Sequence, residues 1–248
     1  MSMIKIEISD LDREEDGVNY VTQTLGALAF DLGGEMQTFK DAGRVGAIVT
    51  CPEKYSDLLR SEIENKVADV LAIRHKYSFF KRRFHPAGLS DYQAEILYTA
   101  IISADIEDDK RYILRRVRGL ENYFIDGVYN FKLKALKNKW KEILAYIPLF
   151  FTQNQLFEFV AYLVGEKKGK RVIVKDGNVF DLNYNLLKKS ALLGRGEDVV
   201  KEVLLSASGN VQVFSGLTAE QEKYLKGFFG GRIAFLKGSL QKTVDKKI

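Results

Sequence analysis

Between Tyr77 and His85 the chain runs YSFFKRRFH, in which Tyr77, Phe79, Phe80 and Phe84 are interleaved with Lys81, Arg82, Arg83 and His85. Aromatic rings at such spacing can stack on bases while the cations neutralise phosphates, so this stretch is a candidate surface for nucleic acid. The same residues also admit a structural reading, in which the rings anchor a helix end to the core and the cations sit at its C-terminus ahead of Pro86. Further along, Lys134, Lys137 and Lys141 line one flank of an apolar helical stripe, and Lys132 and Lys139 line the other. Those lysines are either a solvated rim whose stems cover the core edge or the wall of an anion-binding groove.

Assembled catalytic sets are missing from the sequence. His75 and His85 are the two histidines and Cys51 the single cysteine, too few soft ligands for a Cys/His zinc site. Asp105, Glu107, Asp108 and Asp109 lack the glycine turn and distal glutamate of a calcium loop, and read more simply as a helix cap and first turn. Gly194 and Gly196 lack the Gly-Lys-Ser/Thr ending of a phosphate loop. Ser206 and Ser208 lack the glycine spacing of a nucleophile elbow, and neither histidine has a neighbouring carboxylate to orient it. A hydrolase or transferase site would therefore have to be assembled by the fold, its mark being a concave pocket with a perturbed carboxylate beside His75 or His85. No catalytic, cofactor-binding or metal-binding residue is assigned, and no cofactor is expected.

The elements that must position these residues follow from periodicity. Tyr129, Leu133, Leu136, Trp140, Ile143 and Ile147 recur at spacings of four and three, the mark of one helical face, which Pro148 terminates. Phe124, Val128, Phe131 and Ala135 fall opposite, so the first half of this helix is expected to be sandwiched. Upstream, IKIEI at Ile4–Ile8 alternates as a strand, a helix runs from about Asp10 to Phe30, and strands at Glu35–Phe39 and Val45–Thr50 flank the turn Asp41-Ala42-Gly43. A capping box from Thr50 to Glu53 opens a helix that runs, with a bend, to about Phe84. Ser90 with Gln93, Thr152 with Gln155 and Thr218 with Gln221 mark three more helix starts, and Asp105 caps another. Past residue 168, strands at Arg171–Val174, Val179–Leu182, Val211–Phe214 and Ile233–Leu236 alternate with helices as β-β-α-β-α-β, the first pair joined by Asp176-Gly177-Asn178.

These elements predict an α+β protein with an N-terminal β-α-β-β element (1–84), a central helical region (85–168), a C-terminal α/β module (169–240) and a flexible tail (241–248), which could together make one continuous domain. At 248 residues with 46% hydrophobic content, the chain can bury a substantial core. Its longest apolar run, Ile143–Phe151, is nine residues and holds Pro148, against the roughly 20 needed to cross a bilayer. An N-terminus that turns acidic early and a lone cysteine point to a cytoplasmic protein. Net charge is +5, but Leu71–Lys141 holds 15 Lys or Arg against 8 Asp or Glu, so the rest of the chain is slightly acidic. Such asymmetry suits an anionic partner.

IDGVYNFKLKAL, at the head of the central stripe, and the later EDVVKEVLLSASGNVQVF resemble the corresponding segments of sporulation proteins of the YtxC type from endospore-forming bacteria. The resemblance covers about Leu120–Leu236, with helix, hairpin and helix in the same order between the two segments. It implies a cytoplasmic protein of spore-forming bacteria and carries over no catalytic residue. Three functions are therefore in play: a sporulation-associated interaction or regulatory protein with a protein partner, a nucleic-acid binder using Lys81, Arg82, Arg83, Lys134, Lys137 and Lys141, and an enzyme whose site forms only in the fold. Oligomeric state is not encoded in any of these patterns. From the ligand inventory, elemental analysis of untagged protein should find no stoichiometric zinc.

Overall fold

Alternation in MIKIEISDL produces β1 (Met3–Leu11), with Ile6 and Ile8 facing the core. A single 3-10 turn leads into α1 (Glu15–Asp31), which lays Val18, Val21, Leu25 and Ala29 against the sheet. The computed structural model describes residues 2–167, 169–194 and 196–236; the tail 241–248 lies outside them. β2 (Glu35–Asp41) and β3 (Arg44–Pro52) form a hairpin across Ala42 and Gly43, whose φ values of 49° and 74° make the tight turn that suits twisted strands. β3 pairs antiparallel with β1, so the N-terminal β-α-β-β unit forms as its sequence pattern predicts.

Beyond the hairpin lies α2 (Ser56–Asp69), a π-helical turn at Val70–His75 and α3 (Lys76–Lys81). Thr50 does not cap this helix: it stays in β3, its hydroxyl held by the Glu35 backbone, and a 3-10 turn at Glu53–Tyr55 intervenes. The expected bend is the π turn. α4 (Asp91–Ala104) starts with the reciprocal capping box of Ser90 and Gln93, and α5 (Ile106–Val117) follows almost without a break. Asp105 makes no side-chain cap for α5, because its carboxylate is engaged by lysines.

The central stripe is not one helix. Tyr123–Phe124 forms a short strand, β4, parallel to β1, which completes a four-stranded sheet of order β2-β3-β1-β4. A single turn, α6 (Ile125–Gly127), and a second π turn at Val128–Lys132 precede α7 (Lys134–Ala145). Leu133, Leu136 and Trp140 are buried as the spacing requires, whereas Tyr129, Ile143 and Ile147 are half-buried. The predicted sandwich does not form: of the opposite face only Val128 is buried, and Phe131 is 86% exposed. The π turn rephases the chain at that point, so a constant 100° step misplaces what precedes it.

α8 (Gln153–Gly165), opened by the Thr152–Gln155 capping box, packs on α4. β5 (Arg171–Lys175) and β6 (Asn178–Phe180) make the second hairpin, turning at Asp176 and Gly177. α9 (Val199–Leu205), β7 (Asn210–Val213), α10 (Ala219–Phe229) and β8 (Ile233–Phe235) complete a second sheet of order β6-β5-β7-β8, with β5, β7 and β8 parallel. The chain is thus an α+β protein with two sheets, and buried apolar residues from both join the helices in one continuous core. Among the described residues no helix is long and apolar enough to cross a membrane.

Trp140 is fully buried, its ring edge-on to Phe79 at 5.5 Å and its indole N–H donating to Asp109 Oδ2 at 2.8 Å. Trp140→Ala is expected to cost about 3–5 kcal/mol in chemical denaturation followed by circular dichroism. An unchanged midpoint would place the wrong helix face inward.

Candidate functional site

α3 and α7 are clamped together from below by charge. Lys76 is completely buried, and its ammonium lies 2.7 Å from Asp109 Oδ2 and bonds Asp105 as well. Lys139, from α7, reaches the same two carboxylates, at 2.8 Å from Asp105 and 3.2 Å from Asp109. The acidic cluster read from the sequence is therefore largely neutralised: Asp105 and Asp109 by these lysines, Glu107 by Lys170 and Asp108 by Arg111. Among the described residues no group of three or more His, Cys, Asp or Glu is placed to hold a metal ion.

Above this clamp, the outer faces of the two helices diverge to make a cleft of about 820 Å³. One wall is His75, Ser78, Phe79 and Arg82, residues spaced three and four apart and so aligned on one helix face, with Arg83 beside them. The other wall is Lys134, Lys137, Asn138 and Lys141 from α7, with Tyr129 and Asn130 from the preceding π turn. Asp10 and Leu11 at the end of β1, then Arg13 and Glu14, close one end, and Asp126 lies at the rim of α6. The volume falls within the range of ligand pockets, roughly 300–1,000 Å³.

Charge in the cleft is segregated by pairing. Each lining carboxylate already has a partner: Glu14 is 2.8 Å from the Arg74 guanidinium, Asp126 2.6 Å from that of Arg44, and Asp10 3.1 Å from the His75 ring nitrogen Nε2. Arg13, Arg82, Arg83, Lys134, Lys137 and Lys141 have no salt bridge among the described residues. The Lys137 ammonium is pushed below its ordinary pKa, first by loss of solvent and then by repulsion from Arg83 and Lys141. A lysine whose charge is penalised by neighbouring cations is the local signature of an uncompensated positive field. Arg83 stacks its guanidinium 4.0 Å above the Phe79 ring, which leaves the charge at the surface while holding the side chain in place. The Tyr129 phenol is raised by burial, against a downward pull from Arg82 and Arg83.

Of the six cations that the sequence nominates, the fold brings Arg82, Arg83, Lys134, Lys137 and Lys141 together and leaves Lys81 out. Lys81 lies over the Tyr77 ring instead, its ammonium 5.4 Å from the centroid, because one residue along a helix is a 100° turn away from Arg82. The rings of YSFFKRRFH are core anchors, with Tyr77, Phe79, Phe80 and Phe84 all at most 6% exposed, so they offer no stacking platform. His85 is exposed and outside the cleft. Missed in the sequence was the pairing of His75 with Asp10, separated by 65 positions and joined only when the last residue of the first π turn meets the end of β1. The two π turns that bound the cleft were missed as well; their presence beside it fits the frequent occurrence of such turns at functional sites.

Comparison of the chain with protein-family models, curated proteins and solved structures gives no match.

The clamp makes a stability prediction. Burial pushes the Asp105 carboxyl up, but the Lys76 and Lys139 ammonium groups outweigh it and hold its pKa below the usual value. A carboxyl depressed in the folded state contributes stability above its unfolded pKa of about 3.9 and loses it as pH falls through the folded value. Lys76→Met takes the innermost cation from Asp109, leaving it only the half-exposed Lys139 and the Trp140 indole, and is expected to cost about 3 kcal/mol at pH 7. Its loss of stability on acidification below about pH 4 should be shallower than that of the wild type, since one of the two cations that depress Asp105 is gone. Urea unfolding at several pH values measures both.

Proposed function

We propose that the cleft binds phosphate groups of a nucleic-acid strand, and that this chain is a nucleic-acid-binding protein. The supporting observation is the convergence, on one concave surface whose carboxylates are already engaged, of six cations that have no salt bridge among the described residues. Guanidinium and ammonium groups spaced along two helix faces suit successive phosphates, and the buried aromatics make this a site that grips backbone rather than stacking bases. Asn130, Asn138 and Ser78 add neutral donors for phosphate or sugar oxygens. The segment IDGVYNFKLKAL, on which the resemblance to the YtxC type rests, supplies Asp126, Tyr129, Asn130 and Lys134 to this cleft. On that ground we extend the proposal to a cytoplasmic, regulatory role in spore-forming bacteria.

Fluorescence anisotropy with a labelled single-stranded oligonucleotide tests the reading. Binding is expected at micromolar protein and ~50 mM salt and should fall steeply as salt rises, because counterions are released from the strand. Replacing Lys134, Lys137 and Lys141 together by glutamine should reduce the salt slope by about 2, at roughly 0.7 per phosphate contact for single strands. Lys81→Gln, outside the cleft, should leave affinity unchanged. No binding at low salt, or equal losses from the two variants, would overturn the proposal.

A further inference from the structure

His75 is the one ring nitrogen base in the cleft, and its setting goes beyond what holding a strand requires. Its Nε2 lies 3.1 Å from Asp10 Oδ2, and Asp10 is itself completely buried, its other oxygen accepting the Leu11 backbone N–H at 2.8 Å. With Nε2–H donating to that carboxylate, the lone pair is on Nδ1, which has no hydrogen-bond partner among the described residues. A base oriented by a buried carboxylate is the arrangement that activates a hydroxyl. Tyr129 fixes the neighbourhood: its ring centroid is 4.6 Å from that of His75 and 4.7 Å from the Lys137 ammonium, so an imidazole and an ammonium lie against the same ring.

Resting on the nucleic-acid reading of the cleft, we propose that His75 is the proton acceptor in cleavage of bound RNA, with the ribose 2′-hydroxyl as nucleophile. His75 Nδ1 takes the 2′-hydroxyl proton, and the 2′-oxygen forms a bond to the adjacent phosphorus. The bond from phosphorus to the 5′-oxygen of the next nucleotide breaks, and that oxygen takes a proton from the Lys137 ammonium. The products are a 2′,3′-cyclic phosphate and a 5′-hydroxyl end; nothing is oxidised or reduced, and proton exchange with water resets both side chains. Arg82 and Arg83 line the same cleft and would supply positive charge to the non-bridging oxygens as charge grows on them. The depressed pKa of Lys137 eases its loss of a proton. DNA, lacking the 2′-hydroxyl, would be held and left intact.

The test incubates the full chain with labelled single-stranded RNA, its 2′-O-methyl counterpart and matched DNA, all in chelator. Gel analysis reads cleavage, and anisotropy on the same samples reads binding. RNA alone should be cut, leaving cyclic phosphate ends. His75→Gln should slow cleavage by about 10²–10⁴-fold, the usual share of a general base, while binding changes little. Lys137→Gln, a substitution at the cleft surface that does not threaten the fold, should slow cleavage by more than it weakens binding. RNA that is bound but uncut, cleavage of the 2′-O-methyl strand, a requirement for added metal, or equal cleavage by folded His75→Gln each overturns this inference alone. Absence of binding to all three strands overturns the nucleic-acid reading and the inference with it.

Discussion

A buried ammonium between one buried and one half-buried carboxylate sets the geometry of this protein. Lys76 and Asp109 are both fully withdrawn from water, a placement whose desolvation cost is tolerated only because Lys139, Asp105 and the Trp140 indole complete the charges and hydrogen bonds around them. The clamp fixes rotation as well as distance. With Lys76 and Phe80 turned inward, the residues just before them, His75 and Phe79, are rotated by 100° onto the flank. On α7 the residues just after Leu133, Leu136 and Trp140 are Lys134, Lys137 and Lys141, turned outward by the same step. Two helices locked by their inward faces thus present adjacent faces to one space.

Charge is sorted by the same packing. Lys139 and Lys141 are two residues apart, yet one is absorbed by the core carboxylates and the other is left facing the cleft. Arg44 and Arg74 neutralise acids that would otherwise cancel the positive field, Asp126 and Glu14. The local surplus of basic residues in the sequence is therefore concentrated rather than diluted, since the pairing that does occur removes acids from the cleft. Repulsion among Arg83, Lys137 and Lys141 is a standing cost in the folded chain, and an anion would relieve it.

Local rules were enough for most elements. Three capping boxes formed where Ser90, Thr152 and Thr218 precede glutamine by three, both tight hairpin turns lie at their glycines, and both strand modules follow their alternation. Leu133, Leu136 and Trp140 were legible as core because three-and-four spacing holds from the N-cap of α7 through its unbroken turns. Where the phase changes, the pattern misleads: Phe131 and Ala135 were placed on a buried face and are exposed. Of the site, the lysine row on α7 and the adjacent arginines were legible as types, but their convergence was not. His75 and Asp10 meet through a contact between the first π turn and the end of β1 that no local spacing encodes, and Asp105 was read as a cap because its lysine partners lie 29 and 34 positions away in the chain.

The π turns at Val70–His75 and Val128–Lys132 give the cleft an unusual dependence on residue count. A π turn holds one residue more than the α turn it replaces, so removing a single residue there would let the helix close normally and would swing everything beyond it through about 100°. At Val70–His75 that rotation would carry Arg82 off the cleft wall and Lys76 away from Asp109 at a stroke. Lineages that share this architecture should accordingly tolerate changes of side chain within the two turns far more readily than changes of length, and gaps in an alignment of such chains should avoid both.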